Sequence, residues 1–515
     1  MDRKWWTLTA VCTGVFMLLL DITIVNVALP SIEKAFTSSL SDLQWVVDAY
    51  ALTLAALLLT AGSIADLAGR RIVFATGIVL FTAGSVLCGV APSAVFLTVS
   101  RALQGIGGAI MFATALALLA QAFPPKERGI AFAVFGAVTG TAVAIGPVIG
   151  GAITSGLSWR WIFFVNVPIG IFALVVTLLK VDESKLAGAP RPDWPGFVAF
   201  SLSLAGLVFG LIKSGTLGWG STTVLGSLIA SVVLMLAFVV VERLVKNPMF
   251  DFELLRVPTF NGGLVAAFGI SAGLFALFTY MTIYMQNILG ISAVDAGIRF
   301  LPMTGAIFFT AIPAGRLTTK VPIKALIGSG FALLTVGLLL MRGLTAADGW
   351  THFLPGFIVA GVGAGLINVP LSSTAVGVVA PERAGMAGGI NSTSRQVGLA
   401  TGVAAAGTLL ASQIRSQVVQ HLSTGPLAAH ATSFAHLIST GAVHTALNQT
   451  PAALHGLVFG VARLSYVSAL NEVLLVGAGV AAVSCVLTLL LIRTRDFHHN
   501  TAAGRAAEEM VAVAA

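Results

Sequence analysis

The chain has 515 residues, of which 57% are hydrophobic and only 9% charged, with a mean hydropathy of +0.97. That balance excludes a string of soluble domains, in which about a quarter of residues are charged, and marks an integral membrane protein. The 28 Lys and Arg outnumber the 20 Asp and Glu, an excess that would suggest a nucleic-acid partner in a soluble chain and must here be tested against loop placement.

A bilayer core of about 30 Å takes roughly 20 apolar residues per helix. Cutting the sequence at its charged and Pro/Gly-rich breaks predicts fourteen spans, near 7–29, 43–65, 72–90, 95–119, 130–157, 162–179, 194–212, 224–241, 263–285, 296–314, 325–341, 353–376, 388–410 and 466–492. The fold class expected is therefore an all-α integral membrane protein. Arg3 and Lys4 precede the first span, but its apolar run is too long for a cleaved signal and lacks a small-residue cleavage pattern. An even number of spans puts both termini on one side. With that side cytoplasmic, the inner segments hold 19 Lys and Arg, among them Lys126, Arg316, Lys320 and Lys324, against seven outside, counting Arg299 near the outer end of its span. The positive-inside rule thus accounts for the basic excess, and no nucleic-acid partner is expected. Cys12, Cys88 and Cys485 all lie in apolar runs and read as packing residues rather than disulfide partners or zinc ligands.

The chain also resembles itself. Glu127 and Glu382 stand at matching Pro-flanked turns 255 residues apart, Gly105-Ile106-Gly107 matches Gly361-Val362-Gly363 at 256, and Gly62 matches Gly315 at 253. The offset corresponds to eight spans. An even shift preserves membrane sense, so the reading is two parallel six-span repeats with spans 7 and 8 inserted between them. This divides the chain into an N-terminal bundle (1–180), an insert with its linkers (181–255), a C-terminal bundle (256–492) carrying a long outer loop (411–465), and a tail (493–515).

Between spans 2 and 3, Gly62-Ser63-Ile64-Ala65-Asp66-Leu67-Ala68-Gly69-Arg70-Arg71 sets two glycines, a carboxylate and a basic pair in a tight turn. Gly69 permits positive φ, and Asp66 can face a helix N-terminus. The stretch resembles the G-x-L-A-D-x-x-G-R-R signature of the major facilitator superfamily, although Leu67 replaces a basic residue common there. Leu20-Asp21-Ile22-Thr23-Ile24-Val25-Asn26-Val27-Ala28-Leu29-Pro30 is similar to the first-span motif of that superfamily's fourteen-span drug:proton antiporters. Arg101-Ala102-Leu103-Gln104-Gly105 resembles its fourth-span motif. Gly146-Pro147-Val148-Ile149-Gly150-Gly151 resembles the fifth-span antiporter motif, with Ala142 where an earlier glycine is common. Alone, this last stretch could serve only helix packing through small residues. Together the motifs imply a major-facilitator fold of two six-helix bundles plus two inserted helices, in which Asp66, Gly62, Gly69, Arg70 and Arg71 form a cytoplasmic gate with Arg128 as a possible neighbour.

Ionisable residues inside spans default to functional hypotheses. Counted inward at 1.5 Å per residue, Asp21 lies about 12 Å deep, Asp48 about 8 Å and Arg101 about 9 Å, in one slab. A carboxylate that moves between an arginine and an apolar cavity can bind and release a proton. The alternatives are a permanently paired structural Asp21 and an Asp48 facing outer water. Glu472, about 9 Å inside span 14, is a weaker proton carrier and could be interfacial. The positions matching Asp21 and Arg101 in the second repeat are Ala276 and Phe357, so proton chemistry is expected in the first half. Asn26, Gln104, Tyr284, Gln286 and Asn391 are candidates for a substrate cavity, though such residues often bond between helices instead. The histidines of the outer loop, His421, His430, His436, His444 and His455, have no zinc-site spacing, while Ile414, Val418 and Leu422 form a helical apolar stripe. The expected activity is proton-coupled export of an amphipathic small molecule across the plasma membrane by alternating access. It uses no cofactor beyond the proton gradient, since no G-x-x-x-x-G-K-[ST] loop is present. A proton-coupled importer and a non-transporting sensor or assembly partner are the competing readings, and an intramembrane enzyme is not expected because no H-E-x-x-H or comparable nucleophile constellation is present.

Overall fold

The computed structural model describes residues 2–36, 40–124, 127–184, 193–245, 250–318, 320–379, 383–423, 427–439 and 443–497. Lys126, Pro381 and Glu382 lie outside them, as do the side chains of Asn26, Pro147 and His444. Every regular element described is helical, as lipid demands of a spanning chain: with no water to bond free N–H and C=O groups, the backbone must satisfy itself.

The long helices are α1 (Arg3–Phe36), α2 (Leu40–Ala68), α3 (Arg70–Gly89), α4 (Ala94–Ala122), α5 (Arg128–Gly156), α6 (Asn166–Lys180), α7 (Trp194–Leu217) and α8 (Thr222–Leu244). They continue with α9 (Pro258–Ile288), α10 (Ala293–Leu317), α11 (Ile323–Leu340), α12 (Leu354–Gly377), α13 (Ala384–Leu422) and α14 (His455–Leu491). Among the described residues thirteen helical segments are long and apolar enough to cross a membrane, and α5 adds the apolar stretch Arg128–Ala142. These follow the expected order of spans. Their ends are set locally: Ser93 accepts from Phe96 N at the start of α4, and Asp193 accepts from Gly196 N at the start of α7, each taking up a donor that a helix N-terminus leaves free.

Packing repeats across the chain. In the first half α2 packs on α4, α3 on α4, α1 on α5, α1 on α6 and α3 on α6; in the second, α10 packs on α12, α11 on α12, α9 on α13, α9 on α14 and α11 on α14. Each second-half pair lies eight helices after its counterpart. Two seams join the halves, α2 against α13 and α5 against α10. The inserted α7 and α8 pack on each other, and α7 leans on both α2 and α13, so the insert touches each half at one seam.

Three features differ from the sequence expectation. The last two spans overrun their apolar cores: α13 continues to Leu422 and α14 begins at His455, which shortens the loop expected at 411–465. Ile414, Val418 and Leu422 are buried on that extension, and helices Ala431–Ser439 and Val443–Asn448 lie between. Helix α9 is interrupted by π-turns at Ser271–Phe275 and Tyr284–Ile288, which a period of 3.6 does not reveal.

Candidate functional site

Glycine sets how closely the seams approach. A Cβ on Gly62 would collide with the carbonyl oxygen of Gly385, and one on Gly389 would lie 2.9 Å from the carbonyl oxygen of Leu58, so α2 and α13 meet backbone to backbone. At the same end of the other seam, a Cβ on Gly129 would stand 2.5 Å from the carbonyl oxygen of Gly315. The fifth-span glycines act likewise: Gly146 and Gly150 leave room for Thr23 and Ile24 of α1, and Gly151 for Val294 of α10.

The contact between Gly62 and Gly385 delivers Asp66 to the N-terminus of α13. Its Oδ1 accepts from Gly385 N at 3.1 Å and its Oδ2 from Met386 N at 2.9 Å, while Arg70 donates to Oδ1 through Nη2 at 2.8 Å and Nε at 3.0 Å. Asp66 and Arg70 are both buried. A carboxylate at a helix N-terminus meets unpaired N–H groups and the positive end of the helix dipole. Gly69 adopts φ +117°, and the turn it makes leaves Arg71 N and Ile72 N to donate to Glu183 at 3.0 and 3.2 Å. This ties the turn to the start of the linker after α6 and not to the second half. Arg128 is not a neighbour of Asp66: its Nε donates to the carbonyl of Phe123 at 3.1 Å, because the arginine turns back over the end of α4.

A second polar cluster lies inside the first bundle. Asp21 and Arg101 form an ion pair with both side chains essentially inaccessible. The other carboxylate oxygen accepts from Gln104 Nε2 at 2.8 Å and Asn166 Nδ2 at 2.9 Å. Arg101 also donates to Gln104 Oε1 at 2.7 Å and to the carbonyl of Val46 at 3.2 Å, and its guanidinium lies 4.1 Å from the centre of the Tyr50 ring. Ser85 takes the remaining N–H bonds of Gln104 and Asn166 at 2.7 and 3.2 Å. Both carboxylate oxygens thus carry hydrogen bonds, and a proton delivered to Asp21 would remove the charge that holds Arg101. Gln104 is fully buried in this network and does not line a cavity. Asn166 was not among the expected site residues, although it lies in the stretch Trp159-Arg160-Trp161-Ile162-Phe163-Phe164-Val165-Asn166-Val167-Pro168 that also resembles the family.

Asp48 is 9% exposed and does not face outer water. The inserted helix α7 covers it: Lys213 is the charge that acts on Asp48, with its ammonium 4.4 Å from the Trp45 ring centre, and Phe209 packs on the same ring. Glu472 pairs with Arg342 at 3.7 Å with 43% of each side chain exposed, which places it at the interface and away from any buried proton path. Tyr284 is fully buried between Tyr466, Phe353 and Arg463, a packing position and not a cavity wall. Gln286 is half-buried in the second π-turn. Asn391 is 2% exposed and its amide nitrogen has no partner among the described residues. One intramembrane charge was missed altogether: Arg395 of α13, bonded through Nη2 to Asn368 Oδ1 of α12 at 3.0 Å.

Two helical bundles repeating one packing plan, joined by glycine seams and holding a buried ion pair in lipid-spanning helices, define a multi-pass membrane transporter. The chain belongs to the Major Facilitator Superfamily, whose family model matches residues 11–403. It is 36% identical to the puromycin resistance protein of Streptomyces alboniger, over 83% of this chain and 85% of that one. It is 35% identical to the tetracenomycin C resistance and export protein of Streptomyces glaucescens, over 80% and 77% of the two chains. Against a multidrug transporter of Bacillus subtilis the identity is 30%, over 95% and 93%. Among solved structures, a human organic anion transporter superposes with a TM-score of 0.60 at 14% identity, covering 95% of this chain and all of that one; at that identity the likeness speaks for the fold alone.

Proposed function

We propose that the protein exports amphipathic drug-like molecules from bacterial cells in exchange for protons, by alternating access between its two bundles, with both termini cytoplasmic. The observation that carries the reading is the buried Asp21–Arg101 pair. A desolvated ion pair in lipid-spanning helices is costly and is weak evidence of a purely stabilising role; a carboxylate that exchanges Arg101 for a proton gives it a use. The resistance and export names of the relatives support the direction of transport.

In this reading the structure holds the cytoplasmic side shut, with Asp66 fastened to the N-terminus of α13. Proton uptake at Asp21 removes the charge that holds Arg101, loosens α1 from α4 and α6, and is felt along α1 where Gly146 and Gly150 hold α5 against Thr23 and Ile24. Asp48 is a second proton site, held by Lys213 of the insert. The test is uptake of a compound panel into inverted vesicles with and without a pH gradient. Gradient-dependent accumulation is expected. Accumulation in the opposite direction only would make the protein an importer, and absence of any substrate-dependent proton flux would remove the transport reading.

A further inference from the structure

Arg395 is the observation that the proton chemistry does not absorb. It lies ten residues beyond Gly385, about 15 Å along α13 from the point where Asp66 seals the seam, so it is deep in the membrane span. Among the described residues its guanidinium has one hydrogen bond, to the neutral amide of Asn368, and no carboxylate partner. Arg101, the intramembrane arginine of the first bundle, is neutralised by Asp21. An arginine at such depth normally pairs or faces a polar path. Arg395 remains partly exposed, although the helix it sits on is covered by neighbours.

Its surroundings say where it points. Gly388, two turns earlier on the same face of α13, looks onto the carbonyl of Ala113 and onto Leu116 of α4. Helices α4 and α13 run antiparallel, so Arg395 falls at the level of residues 106–109 of α4, in the cleft between the bundles and inward of the Asp21 network. One turn before it on that face, Asn391 is buried with its amide N–H groups unpartnered among the described residues, which is costly when nothing accepts from such a group. On this one helix face, among the described residues, Asn391 thus presents an amide nitrogen with no acceptor and Arg395 a full positive charge bonded only to a neutral amide, while the carboxylates of Asp21 and Asp66 in the first bundle are taken by Arg101 and Arg70.

We propose that Arg395 and Asn391 form an oxyanion subsite in the second bundle, which binds a carboxylate, phenolate or enolate oxygen of the transported molecule. Arg395 supplies the charge and a planar fork of donors suited to two oxygens, Asn391 supplies the neighbouring amide, and Asn368 holds the guanidinium in place. The proposal rests on the export reading only in calling the ligand a substrate; binding itself is measured without transport.

The test uses the full-length protein in nanodiscs and three probes of one shape: 1-naphthoate, 1-naphthamide and the 1-naphthylmethylammonium ion. The unaltered protein should bind naphthoate more tightly than the amide. Arg395→Gln should weaken naphthoate by about ten- to a hundred-fold, the range for a lost charge-assisted hydrogen bond, and leave the amide within about threefold. Arg395→Lys should restore part of the preference. Asn368→Ala breaks the α12–α13 tie but keeps the guanidinium, and should still prefer naphthoate. Equal weakening of all three probes by Arg395→Gln and by Asn368→Ala would overturn the subsite and make Arg395 a helix tie; so would a natural protein that does not distinguish naphthoate from naphthamide. Selective loss in nanodiscs without proton-driven transport in vesicles would keep the subsite and reject the export reading instead.

Discussion

Replacing Asp66 by Asn tests whether its contact with α13 is a latch. Only the part of that contact that crosses the seam can bias the opening of the bundles: the bonds from Gly385 N and Met386 N exist when the seam is closed, whereas the Arg70 bonds stay within one half and persist in both states. Asparagine keeps one acceptor and turns a donor toward the other backbone N–H. One charge-assisted bond, worth about 1.5–3 kcal/mol, is lost and the second becomes a neutral one worth about 1 kcal/mol less. The closed state should therefore lose about 2.5–4 kcal/mol relative to the open one, moving the equilibrium by roughly sixty-fold to several-hundred-fold. Nitroxides at 72 and 324, both exposed positions on the Asp66 side of opposite halves, report it by pulsed electron-electron resonance after the native cysteines are replaced. A longer-distance population should dominate in the variant, and export should slow. Unchanged distance distributions in a folded, monodisperse Asp66→Asn protein would refute the latch and reduce the arrangement to a helix cap.

Gly62→Ala should shift the same distances in the same direction for a different reason, since the new methyl meets the Gly385 backbone and cannot be accommodated by a side-chain rotation. Glu472→Gln should leave proton-coupled transport intact and stability within about 1 kcal/mol, because its pair with Arg342 is exposed; loss of coupling would return Glu472 to the proton path. Ser423→Cys, at an exposed position just past α13, should react with an impermeant maleimide in intact cells, and an unlabelled but folded protein would contradict the proposed orientation.

The resemblance of the turn between spans 2 and 3 to the superfamily signature implied that Asp66 joins the halves, and the residues themselves showed only a carboxylate in a tight turn able to face a helix N-terminus. The sequence foretold the meeting of Asp21 and Arg101 because two charges at one depth in neighbouring spans have strong reason to pair. Depth counting left Asp48 open between a proton site and outer water, because its burial comes from the inserted hairpin, whose Phe209 and Lys213 pack on the neighbouring Trp45, a tertiary contact that no local pattern encodes. Gln104 and Tyr284 were right as polar groups worth notice and wrong as cavity walls, since hydrogen bonding and ring stacking consumed them. Arg395 escaped because the second repeat has no charge at the positions matching Asp21 and Arg101 and its one weighed candidate, Glu472, lies in a different span. An arginine eight residues into a predicted span was the signal that should have found it.

The most direct test of the account is substrate-driven proton movement in proteoliposomes carrying a lumenal pH dye, with the natural protein and Asp21→Asn side by side. The variant keeps the size of the side chain and at least one acceptor for Gln104 and Asn166, so it should insert and fold. The natural protein should move protons when substrate is added, and Asp21→Asn should move few or none while still binding substrate. Proton movement of the same rate and extent in both would contradict the assignment of Asp21 as the coupling carboxylate.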